Sequence, residues 1–169
     1  MPNGRHPFRP QSKGNPAPRG QERPGIEQRL RSKEKVDYFS DPERKAIKPE
    51  LLDEKAEEVA KKMRDIPSSQ LRRFFGSVME LKRRLEVDDK LRKNPEPIRA
   101  ELAFLKASVA YAAKRLNYDQ SKHWQGEPLE LVSFVTRHKN SVNDTEDFLA
   151  FARHFEAVMA FHKLYAKDR

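Results

Sequence analysis

Four arginines on one predicted helix have the chemistry to bind phosphate groups. They are Arg72, Arg73, Arg83 and Arg84. When residues 69–86 are placed at 100° per residue, these arginines fall opposite the apolar side chains. Glu80 is the only acid among them, whereas an ordinary solvated helix face mixes charges and so relieves repulsion. Because the guanidinium group matches phosphate in charge and geometry, the pattern indicates either a phosphate-binding face or a strongly basic solvated one.

A second predicted helix, over residues 96–116, carries small and basic side chains away from its apolar stripe. These residues are Ala100, Ala103, Ala107 and Ala110, flanked by Arg99, Lys106 and Lys114. Small side chains allow another backbone to approach closely, and the cations suit a sugar-phosphate chain or an acidic partner helix. The alternative is that the alanines pack inside the protein. Tyr111, near Arg115, is either a stacking platform for a base or ribose or a half-buried core residue.

The sequence lacks the common catalytic motifs. It contains no HExxH, no P-loop and no GxSxG, and it has no cysteine. A helical ribonuclease of the HEPN type needs an arginine and a histidine at a short, fixed spacing, because both must reach one phosphate. The pairs Arg115–His123 and Arg153–His162 are separated by seven and eight residues, which misses that spacing. We therefore expect no enzymatic activity, no metal and no cofactor, and a HEPN-like ribonuclease is the least favoured alternative.

Five segments have the apolar period of amphipathic helices. Their predicted ranges are 49–65, 69–86, 96–116, 128–138 and 145–165. Leu and Ala total 29 residues against 15 for Val, Ile and Thr, which favours helices over strands. Ser68 and Asp144 are the expected N-caps of the second and last helices. His162 lies on the apolar side of the last helix, where we expect a hydrogen-bonded core histidine. The sequence predicts an all-α fold, a compact bundle of about five helices.

The N-terminal part of the chain differs from the rest in composition. Residues 1–35 hold six of the 12 prolines and four of the six glycines. We expect residues 1–45 to form a disordered basic tail, either without a role or touching nucleic acid, and residues 46–169 to form the helical domain. The formal charge of +9 favours an anionic partner, nucleic acid first. The absence of cysteine, of a bilayer-length apolar run and of a leader predicts a cytoplasmic protein without membrane contact.

Three strings resemble the small subunit of type III-A CRISPR effector (Csm) complexes. SQLRRFF at residues 69–75 resembles that family's helix-opening motif, and residues 102–115 resemble its central helix. Residues 147–162 resemble its closing helix, so the resemblance in order and spacing covers roughly 47–165. The family's central helix often reads Leu-Lys-Pro-Lys, and the chain departs from it because Ala107 and Ser108 follow Lys106.

The resemblance implies a non-catalytic helical subunit that serves antiviral defence, with several copies stacked along a crRNA–target RNA duplex. It implies contacts with the backbones of crRNA and target RNA, and with other Csm subunits, including the large subunit and the backbone subunit that cleaves the target. Residue by residue, it implies RNA contacts at Gln70, Arg72, Arg73, Lys106 and Arg115. The helical projection adds Arg83, Arg84 and Lys114. The alternative is a protein-interaction bundle that does not touch RNA.

Overall fold

The computed structural model describes residues 25–118 and 127–167, and there the chain is all-α, as predicted. The helices are α1 (Ile26–Leu30), α2 (Pro49–Leu52), α3 (Glu54–Lys62), α4 (Ser68–Val87), α5 (Asp89–Lys93), α6 (Pro95–Tyr118), α7 (Glu127–Ser141) and α8 (Thr145–Tyr165). The predictions for residues 1–24 and for His123 lie outside these ranges. Within them, none of the helices combines the length and apolarity that a membrane span requires.

Helix α8 supplies much of the core because one of its sides is almost wholly apolar. Phe148, Phe151, Phe155 and Val158 are fully buried there. The helix packs against α3 and α4, and each buried side chain of this size contributes about 2 kcal/mol. Its start is fixed as predicted, because the Asp144 carboxylate accepts a hydrogen bond from the backbone N–H of Asp147 at 3.0 Å.

Two predicted helix boundaries are wrong. The segment predicted as one helix over 49–65 is interrupted at Asp53, whose φ of −124° and ψ of −103° are not helical. This break separates α2 from α3, and it lets Leu51 enter the core with 2% of its surface exposed. Ser68 is not the N-cap of α4 but its first residue. Pro67 holds the N-cap position without a side-chain cap, and its ψ of 133° suits that extended conformation.

Residues 25–45 are part of the folded domain, so the predicted boundary at residue 45 is too late. Tyr38 is 2% exposed and lies in the core. The Arg44 guanidinium donates to the Asp144 carboxylate at 2.7 Å and to Asp147 at 2.5 Å, which holds this segment against the start of α8. Pro and Gly content cannot reveal such contacts, because the partners lie about a hundred residues away in sequence.

Three buried histidines tie the helices together. The hydroxyl of Tyr38 and Nδ1 of His138 are 2.7 Å apart, and the His154 ring bonds to the Leu51 carbonyl. The His162 ring donates to the Met63 carbonyl at 3.1 Å, which confirms the predicted core role of His162. Burial holds the pKa of His138 well below its ordinary value and also lowers the pKa of His154.

The free energy of unfolding should therefore fall as the pH drops below about 6.5. Below that value the unfolded chain protonates His138 and His154, whereas the folded chain keeps them neutral, so acid favours unfolding. Each histidine that stays neutral should lower stability by about 1.4 kcal/mol per pH unit. Urea unfolding at a series of pH values between neutral and mildly acidic measures this slope. The His138→Phe variant should lose part of it, and a pH-independent stability over this range would contradict the assignment.

Candidate nucleic-acid interface

Helices α4 and α6 form an antiparallel pair, because the short helix α5 turns the chain back on itself. One end of the pair is joined by an ion pair between Arg84 and Glu101, whose charged atoms are 3.4 Å apart. Between the two helices lies a groove of about 420 Å³. Apolar side chains line its floor, including Phe74, Leu102 and Phe148. Polar and aromatic residues line its rim.

Arg72 and Arg73 lie on the exposed side of α4, as the helical projection predicted. Neither forms an ion pair with any carboxylate among the described residues. The Arg73 guanidinium lies 5.1 Å from the centre of the Phe74 ring, a cation–π distance that places it at the rim of the groove. These two arginines therefore have charges that the described part of the fold leaves uncompensated.

Arg83 and Arg84 are also exposed, but each has an acidic neighbour. Arg83 forms an ion pair with Glu80 at 2.8 Å, which lowers the pKa of Glu80 and raises the pKa of Arg83. Arg84 forms the pair with Glu101 described above. The sequence projection placed one acid beside four arginines and missed Glu101, because that residue comes from the neighbouring helix. Of the four arginines of α4, Arg72 and Arg73 are therefore the two that no described carboxylate compensates.

Two further residues singled out from the sequence are turned into the fold. Gln70 is half-buried, and its Oε1 has no hydrogen-bond partner among the described residues. The Lys106 ammonium donates to the Leu30 carbonyl at 2.7 Å and so fastens α1 onto α6. Burial and the nearby charge of Lys139 lower the pKa of Lys106. Both side chains are less open to an outside ligand than the family resemblance implied.

The outer side of α6 is more exposed than a packing role for its alanines would allow. Ala100, Ala103 and Ala107 are exposed, so packing inside the bundle is wrong for these three. Tyr111 is 65% exposed, which excludes the core tyrosine interpretation. Phe104 is 72% exposed, and sequence reasoning missed it. Its exposure could have been predicted from its position outside the apolar stripe of this helix.

Lys114 and Arg115 complete a basic surface shared by the two helices. Both are exposed, and neither forms an ion pair within the described ranges. Since α4 and α6 are antiparallel and Arg84 pairs with Glu101, the start of α4 lies level with the later turns of α6. Counted from the Arg84–Glu101 pair, Lys114 and Arg115 lie about as far along α6 as Arg72 and Arg73 lie along α4, and of these four residues Arg73 lines the groove. We call these four residues the cationic end.

Arg153 and His162, the candidate Arg–His pair that lies within the described residues, do not form a nuclease site. His162 is 1% exposed and bonded to a backbone carbonyl, whereas Arg153 is exposed on α8. Nine positions on an α-helix correspond to a half-turn offset, so the two side chains point apart. In residues 25–118 and 127–167, no group of three His, Asp or Glu side chains is arranged to hold a metal ion.

Fold and surface together define a small all-α protein that displays uncompensated arginines and lysines on two adjacent helices. The family model described as Csm2 Type III-A matches residues 46–168. The chain therefore belongs to this family, the small subunit of type III-A Csm effector complexes, and membership implies association with the other subunits of that complex. No curated protein and no solved structure shows a significant match to the chain.

Stability measurements should separate the residues bound into the fold from those that are free. Lys106→Ala should lower the free energy of unfolding by about 1 kcal/mol, because it removes a hydrogen bond that holds α1 in place. Arg72→Ala/Arg73→Ala should change it by less than about 0.5 kcal/mol, as expected for exposed residues without a carboxylate partner among the described residues. Urea unfolding of both variants tests this contrast. A large loss in the arginine variant would show that the pair is structural.

Proposed function

We propose that the chain is the non-catalytic small subunit of a type III-A interference complex and binds the sugar-phosphate backbone of RNA through the cationic end. The observation that carries the proposal is that Arg72, Arg73, Lys114 and Arg115 are exposed on two adjacent helices without a carboxylate partner among the described residues. Fixed like charges repel one another, and a chain of phosphates relieves that repulsion while releasing counterions.

Recognition of this kind is independent of base sequence. Arginine and lysine contact phosphate oxygens, which are the same at every nucleotide. Tyr111 lies one turn from Arg115 and is 65% exposed, so its ring is available to stack on a base or ribose, a contact that every base permits. The described residues of this surface are all helical, and base-reading RNA modules instead use sheets with exposed aromatics or clamping loops.

Family membership and this surface support the proposed role in the complex. Several copies of the subunit stack along the crRNA–target RNA duplex, contact the large subunit and the backbone subunit, and serve antiviral defence in the cytoplasm. Each copy holds RNA in place, and cleavage of the target belongs to a neighbouring subunit. The structure supports this division because the exposed cations lie apart from the buried histidines.

A protein-interaction bundle is the second candidate function, and the groove favours it. Phe104 is 72% exposed at the rim of an apolar groove, which is the arrangement that a partner helix fills with its own apolar side chains. The two candidates use different residues of the same helix pair. RNA is expected at the cationic end, and a neighbouring subunit is expected over Phe104.

The logarithm of the association constant for single-stranded RNA should fall linearly with the logarithm of the salt concentration. The cationic end should contribute about −3 to this slope. This value corresponds to four phosphates at about 0.7 each. The Arg72/Arg73/Lys114/Arg115→Gln variant should lose that contribution while keeping its helical far-UV circular dichroism. Fluorescence anisotropy of a labelled oligoribonucleotide across a salt series measures the slope.

The matched control removes four exposed cations from other parts of the surface, in the Lys55/Lys90/Lys93/Lys163→Gln variant. None of these lysines has a carboxylate partner in an ion pair of the described residues. Both variants carry the same change in net charge, so only a local contact distinguishes them. Equal slopes for the two variants would contradict the assignment of RNA binding to the cationic end.

Phe104→Ser should separate the two candidate functions. We expect it to weaken co-purification with the other Csm subunits, because it removes an exposed aromatic anchor, and to leave the RNA salt slope unchanged. Co-expression with those subunits and crRNA, followed by size-exclusion chromatography and an absorbance ratio before and after RNase, gives both readouts. If wild-type assemblies form without RNA and the isolated chain never retains it, the protein-interaction function replaces the RNA-binding one.

A further inference from the structure

We propose a second phosphate-binding site, a pocket between residues 31–36, the end of α7 and the start of α6, which takes phosphodiester groups of a polynucleotide strand. The pocket has a volume of about 440 Å³. Four cations line it: Lys33, Lys35, Arg99 and Lys139. The choice of a polynucleotide as ligand rests on the proposed function, whereas the pocket itself is independent of the cationic end.

The backbone of residues 31–36 is held in place, so its lysines are presented from a fixed segment. The Asn140 side-chain amide donates to the carbonyls of Ser32 at 2.7 Å and Glu34 at 3.2 Å. Carbonyls two residues apart that point the same way are typical of an extended chain, in which alternate side chains share a side. Lys33 and Lys35 therefore face the pocket together.

Glu34, which lies between Lys33 and Lys35 in the sequence, does not neutralise their charges. Glu34 lies 3.7 Å from Arg137, outside the lining of the pocket. Arg99 is paired with Glu96 at 2.6 Å. Lys33, Lys35 and Lys139 form no ion pair among the described residues, so three of the four cations are available to an anion. Burial is the main cause of the lowered pKa of Lys106, and the positive charge of Lys139 adds to it.

The lining of the pocket favours phosphates over a protein segment. Protein interfaces depend on apolar or aromatic anchors at their centre. Among the described residues that line this pocket, Val142 is the single apolar one. Compact anions that keep part of their hydration, such as successive phosphodiesters, match three lysines spread around an open concavity.

The pocket and the cationic end lie on different flanks of α6. Arg99 and Lys106 face α7 and the N-terminal segment, because Arg99 donates to the Asn143 carbonyl and Lys106 to that of Leu30. Phe104 and Ser108 face the groove shared with α4. A subunit with both sites holds polynucleotide on either side of α6. Lys33 and Lys35 precede residues 46–168, so the family match does not include them.

The test uses the full chain and a labelled single-stranded oligoribonucleotide across a salt series. The Lys33/Lys35/Lys139→Gln variant should reduce the magnitude of the log–log slope by about 2, three phosphates at about 0.7 each. The matched Lys55/Lys93/Lys163→Gln variant should leave the slope at its wild-type value. Combining the pocket substitutions with those of the cationic end should give additive losses, because the two sites lie apart.

Failure of this proposal differs from failure of the proposed function. If the pocket variant behaves like its matched control while the cationic-end variant loses slope, the pocket is overturned and the RNA-binding surface stands. If the pocket variant alone loses slope, the pocket stands and the cationic end does not. If neither variant differs from its control, both are overturned. Circular dichroism and urea unfolding of each variant establish that the fold is intact when the slopes are compared.

Discussion

The antiparallel pairing of α4 with α6 is the constraint on which the rest of the surface depends. It places exposed cations of two helices at similar distances along the chain from the Arg84–Glu101 ion pair, and apolar side chains of both helices line the groove between them. Isolated, each helix would present an ordinary basic side. Joined at the Arg84–Glu101 end, the two helices hold Arg72, Arg73, Lys114 and Arg115 at the other end, where no described carboxylate pairs with them. Rigid helices prevent these charges from moving apart, so an external anion is the remaining way to compensate them.

Positive charge on this chain is divided between structural and free groups. Arg44 holds the N-terminal segment against Asp144 and Asp147, and Lys106 fastens α1 through the Leu30 carbonyl. These cations are bound into the fold and contribute to its stability. The free ones lie on exposed helix turns and on the extended segment at Lys33 and Lys35. Net charge alone does not make this distinction, because it counts both kinds equally.

The sequence predicted the all-α fold class, the long helices and the exposed positions of Arg72 and Arg73. The apolar period predicted the long helices and the opposite placement of Arg72 and Arg73, since both follow from the 3.6-residue repeat. The prediction from sequence failed where a residue is contacted by a different helix or segment. Glu101 reaches Arg84 across the groove, Leu30 binds Lys106, and Asn140 positions Lys33, and none of these contacts has a local signature. The early start of the folded domain was missed for the same reason, because Tyr38 bonds to and stacks on His138 of α7.

In the assembled complex, peptides of α4 and α6 should touch RNA, and photo-crosslinking with mass spectrometry measures this directly. The complex is assembled from the wild-type chain, the other Csm subunits, crRNA and target RNA, and is then irradiated and digested. Crosslinks on the peptides that carry Arg72–Arg73 and Tyr111–Arg115 are the predicted result. Crosslinks confined to α3 and α8, with none on α4 or α6, would contradict the central claim.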